Sequence, residues 1–136
     1  MNVNSKPLDI ELVREFVIAA HGDFEKVKQL VTEEPALIHS IVNWGGDDWE
    51  SGLGAAAHTG NRSIAEWLLE RGARLDIFAA AMLGELGVVS SIIERFPEAL
   101  QAKGPHGIPL IRHAEKGGEQ AKFVVEYLKS KEQLIH

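Results

Sequence analysis

The 136-residue sequence contains no cysteine, which excludes a disulfide framework, a thiolate zinc site and a thiol nucleophile. No apolar run reaches about 18 residues, the length that a membrane-spanning helix needs. The N-terminus also lacks the apolar segment of a secretory signal. Lysine and arginine number 14 against 20 acidic residues, so the chain offers no basic stripe for nucleic acid. We therefore expect a cytoplasmic protein that binds neither nucleic acid nor membrane.

Common active-site signatures are also missing. The six histidines show neither the His-x-x-x-His nor the His-x-x-Glu-His spacing of known metal motifs. The sequence contains no Gly-x-Ser-x-Gly elbow and no phosphate-binding loop. We therefore expect no catalytic residue, no metal ligand and no cofactor, and a protein that is not an enzyme.

What the sequence does contain is one short pattern that recurs four times. An apolar residue is followed by small residues three and four positions later and by glycine at position seven, as in Leu53 to Gly60. The pattern also fits Gly84 and Gly117 and, more loosely, Gly22. It is typical of one face of a short helix that ends at glycine, and later apolar pairs indicate a second helix. Stacked copies would bury a continuous core.

The second copy resembles the ankyrin repeat family. Its segment Ser51–Gly60, SGLGAAAHTG, is similar to the family's Thr-Pro-Leu-His-x-Ala-Ala-x-x-Gly start, and Gly72-Ala73 to its Leu-Leu-x-x-Gly-Ala end. The fourth copy keeps Gly107, Pro109 and Leu110. The resemblance implies an all-α solenoid of stacked helix pairs in one domain, 1–136, with approximate repeats at 8–40, 41–74, 75–99 and 100–131. The resemblance gives almost no information about function.

The spacing of the copies departs from the family's repeat of about 33 residues. The distance of 24 residues from Gly60 to Gly84 predicts a trimmed loop, and the distance of 38 from Gly22 to Gly60 predicts a long finger loop. The pattern places eight helices at about 8–20, 24–33, 52–59, 62–70, 76–83, 86–95, 108–115 and 119–130.

The long loop at 44–50 is the most unusual segment, because two tryptophans flank a Gly-Gly-Asp-Asp sequence. Tryptophan is enriched in interface hot spots. The resemblance implies that the finger tips and the first helix of each pair line a concave face that binds another protein. The candidate partner-binding residues are Trp44, Asp47, Asp48, Trp49, Glu50, His58, His106, Ile111 and Arg112. The acidic members favour a partner with a basic or arginine-bearing patch.

Four other interpretations stay open. The tryptophan rings could simply cover the gap left by the missing finger. A small-ligand or metal-binding pocket could form between the 44–50 loop and the first helices, from Trp44, Trp49, His58 and Asp48. The loop carboxylates Asp47, Asp48 and Glu50 are of the type that binds Ca²⁺ or Mg²⁺, although a solvated acidic loop is the simpler explanation. Apolar residues without a stacking partner, such as Phe78 or Val124, could seal a homodimer, so we expect a monomer or a weak dimer.

Overall fold

The structure, a computed structural model, describes residues 6–135. This part of the chain forms eight α-helices and one antiparallel pair of strands. The elements are α1 (Ile10–Ala19), α2 (Phe24–Glu33), β1 (Ile41–Gly45), β2 (Asp48–Ser51), α3 (Gly52–Thr59), α4 (Arg62–Glu70), α5 (Ile77–Leu83), α6 (Leu86–Arg95), α7 (Leu110–Lys116) and α8 (Lys122–Ile135). Within 6–135 no helix has the length and apolar character that crossing a membrane requires. The cytoplasmic location stays a prediction.

The prediction of an all-α solenoid is wrong, because the expected finger loop is a two-stranded antiparallel hairpin. β1 and β2 pair Val42 with Glu50, and the connecting turn is closed by the Asn43 side chain, whose Nδ2 donates to the Gly46 carbonyl at 2.9 Å. Gly46 has a φ of +53°, which a residue without Cβ adopts without steric cost. The molecule is therefore a mixed structure of helices and a hairpin.

The eight helices lie at or near the predicted positions, and several of them begin or end at capping signals of the sequence. Asp76 begins α5 by accepting a hydrogen bond from the backbone N–H of Ala79 at 2.8 Å. Gly60 and Gly84 end α3 and α5 in the left-handed conformation, with φ of +73° and +84°. In this conformation the backbone N–H groups after the helix can donate hydrogen bonds to its last carbonyl oxygens.

The helices α1, α3, α5 and α7 pack side by side. The middle two are rich in alanine, and the segments 55–57 and 79–81 are completely buried. Small side chains let these helices approach closely. At Gly117, an added Cβ would lie 2.0 Å from the carbonyl oxygen of Met82.

Helix α7 contacts α3 as well as α5. In a linear solenoid each repeat contacts only its neighbours, so a contact between the second and fourth helix pairs is another departure from the expected architecture. A Cβ at Gly60 would lie 2.8 Å from the carbonyl oxygen of Lys116, so the approach requires glycine there. The contact brings the turn that precedes α7 beside β2 and α3.

Candidate metal centre

Glu50 is a buried carboxylate at the junction of the hairpin and the helices, with 1% of its surface exposed. Side chains alternate along a strand, so Asp48 and Glu50 share the inner face of β2 while Trp49 points outward and is 58% exposed. Helix α3 begins directly after β2 and returns His58 to the same carboxylate. The short connection between β2 and α3 therefore brings Glu50 of the strand and His58 of the helix into contact.

Three histidines from distant parts of the chain surround this carboxylate. Nε2 of His58 lies 2.7 Å and Nε2 of His21 lies 3.1 Å from Oε2 of Glu50. Nε2 of His106 lies 3.3 Å from Oε1, to which the indole N–H of Trp44 donates at 2.9 Å. The three imidazoles and the carboxylate each offer one ligand atom, and all four atoms lie within 4.8 Å of one another.

His21 follows α1, and its Nδ1 lies 2.9 Å from the carbonyl oxygen of Val17. Because a carbonyl oxygen only accepts, Nδ1 must carry the proton. The side-chain amide of Asn61 donates to the backbone carbonyl of His21 at 3.0 Å and so fixes the position of this residue. The Nε2 of neutral His21 is therefore a lone pair directed at Glu50.

His106 is held in the same way by Asp48. Its Nδ1 lies 2.8 Å from Oδ2 of Asp48, and its backbone N–H donates to Oδ1 at 2.8 Å. His106 has a φ of +61°, the only positive φ of a non-glycine residue in the described part of the chain. Such a conformation is uncommon for a residue with a Cβ and concentrates at functional sites. With the Nδ1 proton directed at Asp48, the Nε2 of neutral His106 also presents a lone pair to Glu50.

Two lone pairs that face a carboxylate repel it unless a proton or a metal ion lies between them. Ligand atoms on one tetrahedral zinc ion, each about 2.0–2.1 Å from the metal, lie about 3.3 Å apart. The separations from the histidine nitrogens to the Glu50 oxygens are 2.7, 3.1 and 3.3 Å. The cluster therefore has the ligand types of a mononuclear metal site, and all four ligand atoms lie within 4.8 Å of one another.

The electrostatics of the site keep both carboxylates ionised. Burial opposes the charge on Glu50, but hydrogen bonds from His58 and Trp44 outweigh it and lower the pKa of Glu50. The backbone N–H of His106 is the main cause of the lowered pKa of Asp48. Ionised carboxylates are the form that metal sites need.

The structure separates the nine candidate partner-binding residues into two groups. Five converge in the cluster, namely Trp44, Asp48, Glu50, His58 and His106. Because Glu50 is buried, its carboxylate is not open to a partner protein. The other four lie outside the cluster: Asp47 and Trp49 are exposed on the hairpin, Arg112 is exposed on α7, and Ile111 is partly buried against the core. Val124 is completely buried, so it offers no surface for a homodimer.

His21 was not a predicted site residue. His58 and His106 were expected to contact a partner, and only the alternative of a ligand or metal pocket included His58. The reason is that the ligands stand at positions 21, 50, 58 and 106, which form no short motif. One signal was available in the repeat pattern. His21 and His58 precede the repeat glycines Gly22 and Gly60 by one and two residues, so packing of α1 against α3 puts them side by side, with ring centroids 5.0 Å apart.

A comparison with protein-family models finds no match to the chain, and a comparison with curated proteins finds no significant match either. The resemblance to ankyrin repeats thus stays a prediction about family.

Proposed function

We propose that this protein binds a divalent transition-metal ion through Nε2 of His21, His58 and His106 and the carboxylate of Glu50. The observation that supports this most strongly is the orientation of the His21 and His106 rings. Each ring directs its Nδ1 proton to an oxygen that belongs to none of the four proposed ligands, so each neutral ring presents an Nε2 lone pair to the same carboxylate. A shared cation turns this repulsive arrangement into four favourable bonds.

The ligand set selects the class of metal. Imidazole nitrogens suit zinc, iron, nickel and copper, and affinity generally rises from manganese to copper. Calcium and magnesium take six or more ligands that are almost all oxygens. The cluster supplies oxygen ligands only from Glu50, because Asp48 contacts His106 and is not itself a proposed ligand. Asp47 is exposed at the turn, so the alternative of a hard-cation site on the three loop carboxylates has no geometric support.

The surroundings of the ligands are those of a metal site as well. Metal-bound histidines usually donate their other N–H to a carboxylate or a backbone carbonyl, which orients the ring. Asp48 does this for His106, and the Val17 carbonyl does it for His21. The side chains of His21 and His106 are 30% and 39% exposed, so the proposed ion lies close to solvent and can exchange.

Equilibrium dialysis against zinc, followed by elemental analysis, tests the proposal. We expect one zinc per chain, and removal of one ligand in His21→Ala, His58→Ala or His106→Ala to weaken binding by about 100-fold or more, several kcal/mol. His39→Ala is the matched control, because His39 is exposed and outside the cluster. Zinc binding that is absent from the wild type, or equally strong in the three ligand variants, would overturn the proposal.

Binding of a partner protein is a second candidate function, favoured by the exposed aromatic ring of Trp49. Trp49 and Ile41 are 58% and 55% exposed, and both line one cavity of about 290 Å³ beside Phe78. The neighbouring acidic side chain of Asp47 would attract a partner with a basic patch. Exposed tryptophan next to an apolar side chain is typical of an interface anchor.

Affinity capture with wild-type and Trp49→Ala protein tests this second candidate. Phe123→Ala is the control, because Phe123 is similarly exposed, at 59%, but lies on α8. A partner that is retained by the wild type and Phe123→Ala and lost by Trp49→Ala would support an interface on the hairpin. Equal recovery with both variants would contradict it.

A further inference from the structure

A cavity of about 640 Å³ lies directly beside the proposed metal centre. It is bounded by His58 at the end of α3, by the segment 107–109 and by Arg112, Glu115 and Lys116 on α7. Cavities of this size hold small organic molecules. His58 belongs both to the wall of the cavity and to the metal cluster, so the two sites share a residue.

The α7 wall of the cavity carries excess positive charge. Arg112 and Lys116 are four residues apart and therefore project from the same face of the helix. Glu115 offsets only part of this charge, since its Oε1 lies 3.8 Å from Nε of Arg112 and both side chains are largely exposed. Lys116 forms no ion pair with any residue that the structure describes. Because Arg112 and Lys116 carry two positive charges and Glu115 only one negative charge, this wall favours an anionic ligand.

Part of the cavity wall is apolar, because Ile108 and Pro109 contribute to it. A pocket that combines convergent polar groups with apolar side chains suits amphipathic small molecules. The anionic part of the occupant would lie at Arg112 and Lys116, and a hydrocarbon part against the segment 107–109.

We infer that this cavity binds a small organic anion, with a carboxylate or phosphate group beside Arg112 and Lys116, and that its binding is coupled to metal binding through His58. The coupling rests on the proposed function: the metal ion adds positive charge next to the cavity and fixes the shared imidazole ring. Coupling between two sites is reciprocal, so the ion and the anion each raise the affinity for the other by the same factor.

Calorimetric titration of zinc-loaded protein with benzoate, phenyl phosphate and benzamide tests the inference, with zinc content measured separately. Benzoate and phenyl phosphate distinguish the two anionic groups, and benzamide is a neutral isostere of benzoate. We expect at least one anion to bind, about tenfold more tightly than benzamide. We expect Arg112→Gln and Lys116→Gln to weaken it about three- to tenfold. Lys129→Gln, on the exposed surface of α8, serves as the control and should change nothing.

The same titration on metal-free protein tests the coupling, which we expect to be about fivefold or more. If zinc binds but benzamide binds as well as the anions, or if the Arg112 and Lys116 variants bind normally, the inference is overturned and the proposed metal site stands. If the anion affinity is the same with and without zinc, the coupling is overturned. If the chain takes up no zinc, the proposed function fails, and the coupling fails with it.

Discussion

The imidazole Nδ1 of His106 lies 2.8 Å from Oδ2 of Asp48, although 58 residues separate the two in the sequence. The other oxygen of the same carboxylate accepts the backbone N–H of His106 at 2.8 Å. One aspartate thus holds both the ring and the left-handed backbone of a proposed metal ligand. Asp48 is itself fixed on the hairpin, so this pair connects the hairpin to the turn before α7.

Asp48→Asn should weaken zinc binding about 10- to 100-fold, the usual effect of removing a carboxylate that orients a ligating histidine. An asparagine can still accept a hydrogen bond, but it lacks the charge that favours a metal-bound imidazole. Competition with a chromophoric chelator measures the change. Asp47→Asn, one residue away and exposed, should bind zinc normally. Equal loss in both variants would indicate a general effect of charge on the hairpin and would contradict the assigned role of Asp48.

Zinc should stabilise the folded protein, because the four ligands converge only in the native state. At a free zinc concentration about 100 times the dissociation constant, the free energy of unfolding should rise by about 2.7 kcal/mol. Thermal unfolding with and without zinc measures this, and an excess of chelator should reverse it. His58→Ala, which should bind zinc at least about 100-fold more weakly, should gain no more than about 0.4 kcal/mol at the same zinc concentration. A shift of equal size in that variant would mean that zinc binds elsewhere.

Gly117→Ala should destabilise the fold by about 1–3 kcal/mol, the cost of overpacking a close contact. An added Cβ would lie 2.0 Å from the Met82 carbonyl oxygen, and both groups belong to packed backbone. Gly87→Ala is the matched control, because Gly87 lies in α6 with open space around it. Replacing a helical glycine by alanine should stabilise by about 0.5–1 kcal/mol. Urea unfolding of both variants measures these opposite signs, and a neutral Gly117→Ala would contradict the close packing.

His113 should make stability depend on pH. Its side chain is completely buried, Nδ1 donates to the Pro109 carbonyl at 3.0 Å, and Nε2 has no hydrogen-bond partner among residues 6–135. Burial lowers the pKa of His113 in the folded state. The unfolded chain therefore takes up the proton first. The stabilising contribution is complete above the unfolded pKa of about 6.5 and is lost as the pH falls towards the folded value.

The measurement is the free energy of unfolding of zinc-free wild type and His113→Gln between pH 7.5 and pH 5. The other titrating groups are common to both proteins, so they largely cancel in the difference. The wild type should lose stability relative to the variant as the pH falls below about 6.5. Parallel curves would show that His113 does not stay neutral in the folded protein.

The sequence predicted the helices well, because several of them have a local signal that packing does not override. The cap at Asp76 and the left-handed glycines at 60 and 84 are examples of such signals. The hairpin was missed because the family resemblance described residues 41–51 as a loop, although apolar Val42 alternates with exposed neighbours. An antiparallel pair of strands depends on cross-strand hydrogen bonds that no single strand reveals.

The candidate site was harder to predict, since its ligands meet only through long-range packing. His106 reaches Glu50 because α7 packs against α3, and this contact depends on the missing side chain at Gly60. In the linear solenoid that the repeat pattern predicts, the second and fourth repeats do not contact each other. The sequence did identify the unusual composition of the hairpin and four residues of the cluster besides Glu50. We assigned these residues to a partner interface and placed Trp44, Asp48 and His58 in a ligand or metal pocket only as an alternative.

X-ray absorption spectroscopy at the zinc edge is the most direct test of the proposed metal centre, because it reports the atoms bound to the metal. For the wild type we expect three imidazole nitrogens and one carboxylate oxygen at about 2.0–2.1 Å. We expect the loss of one imidazole in His106→Ala. A shell made only of oxygens, or an imidazole count that is unchanged in that variant, would contradict the proposed metal centre.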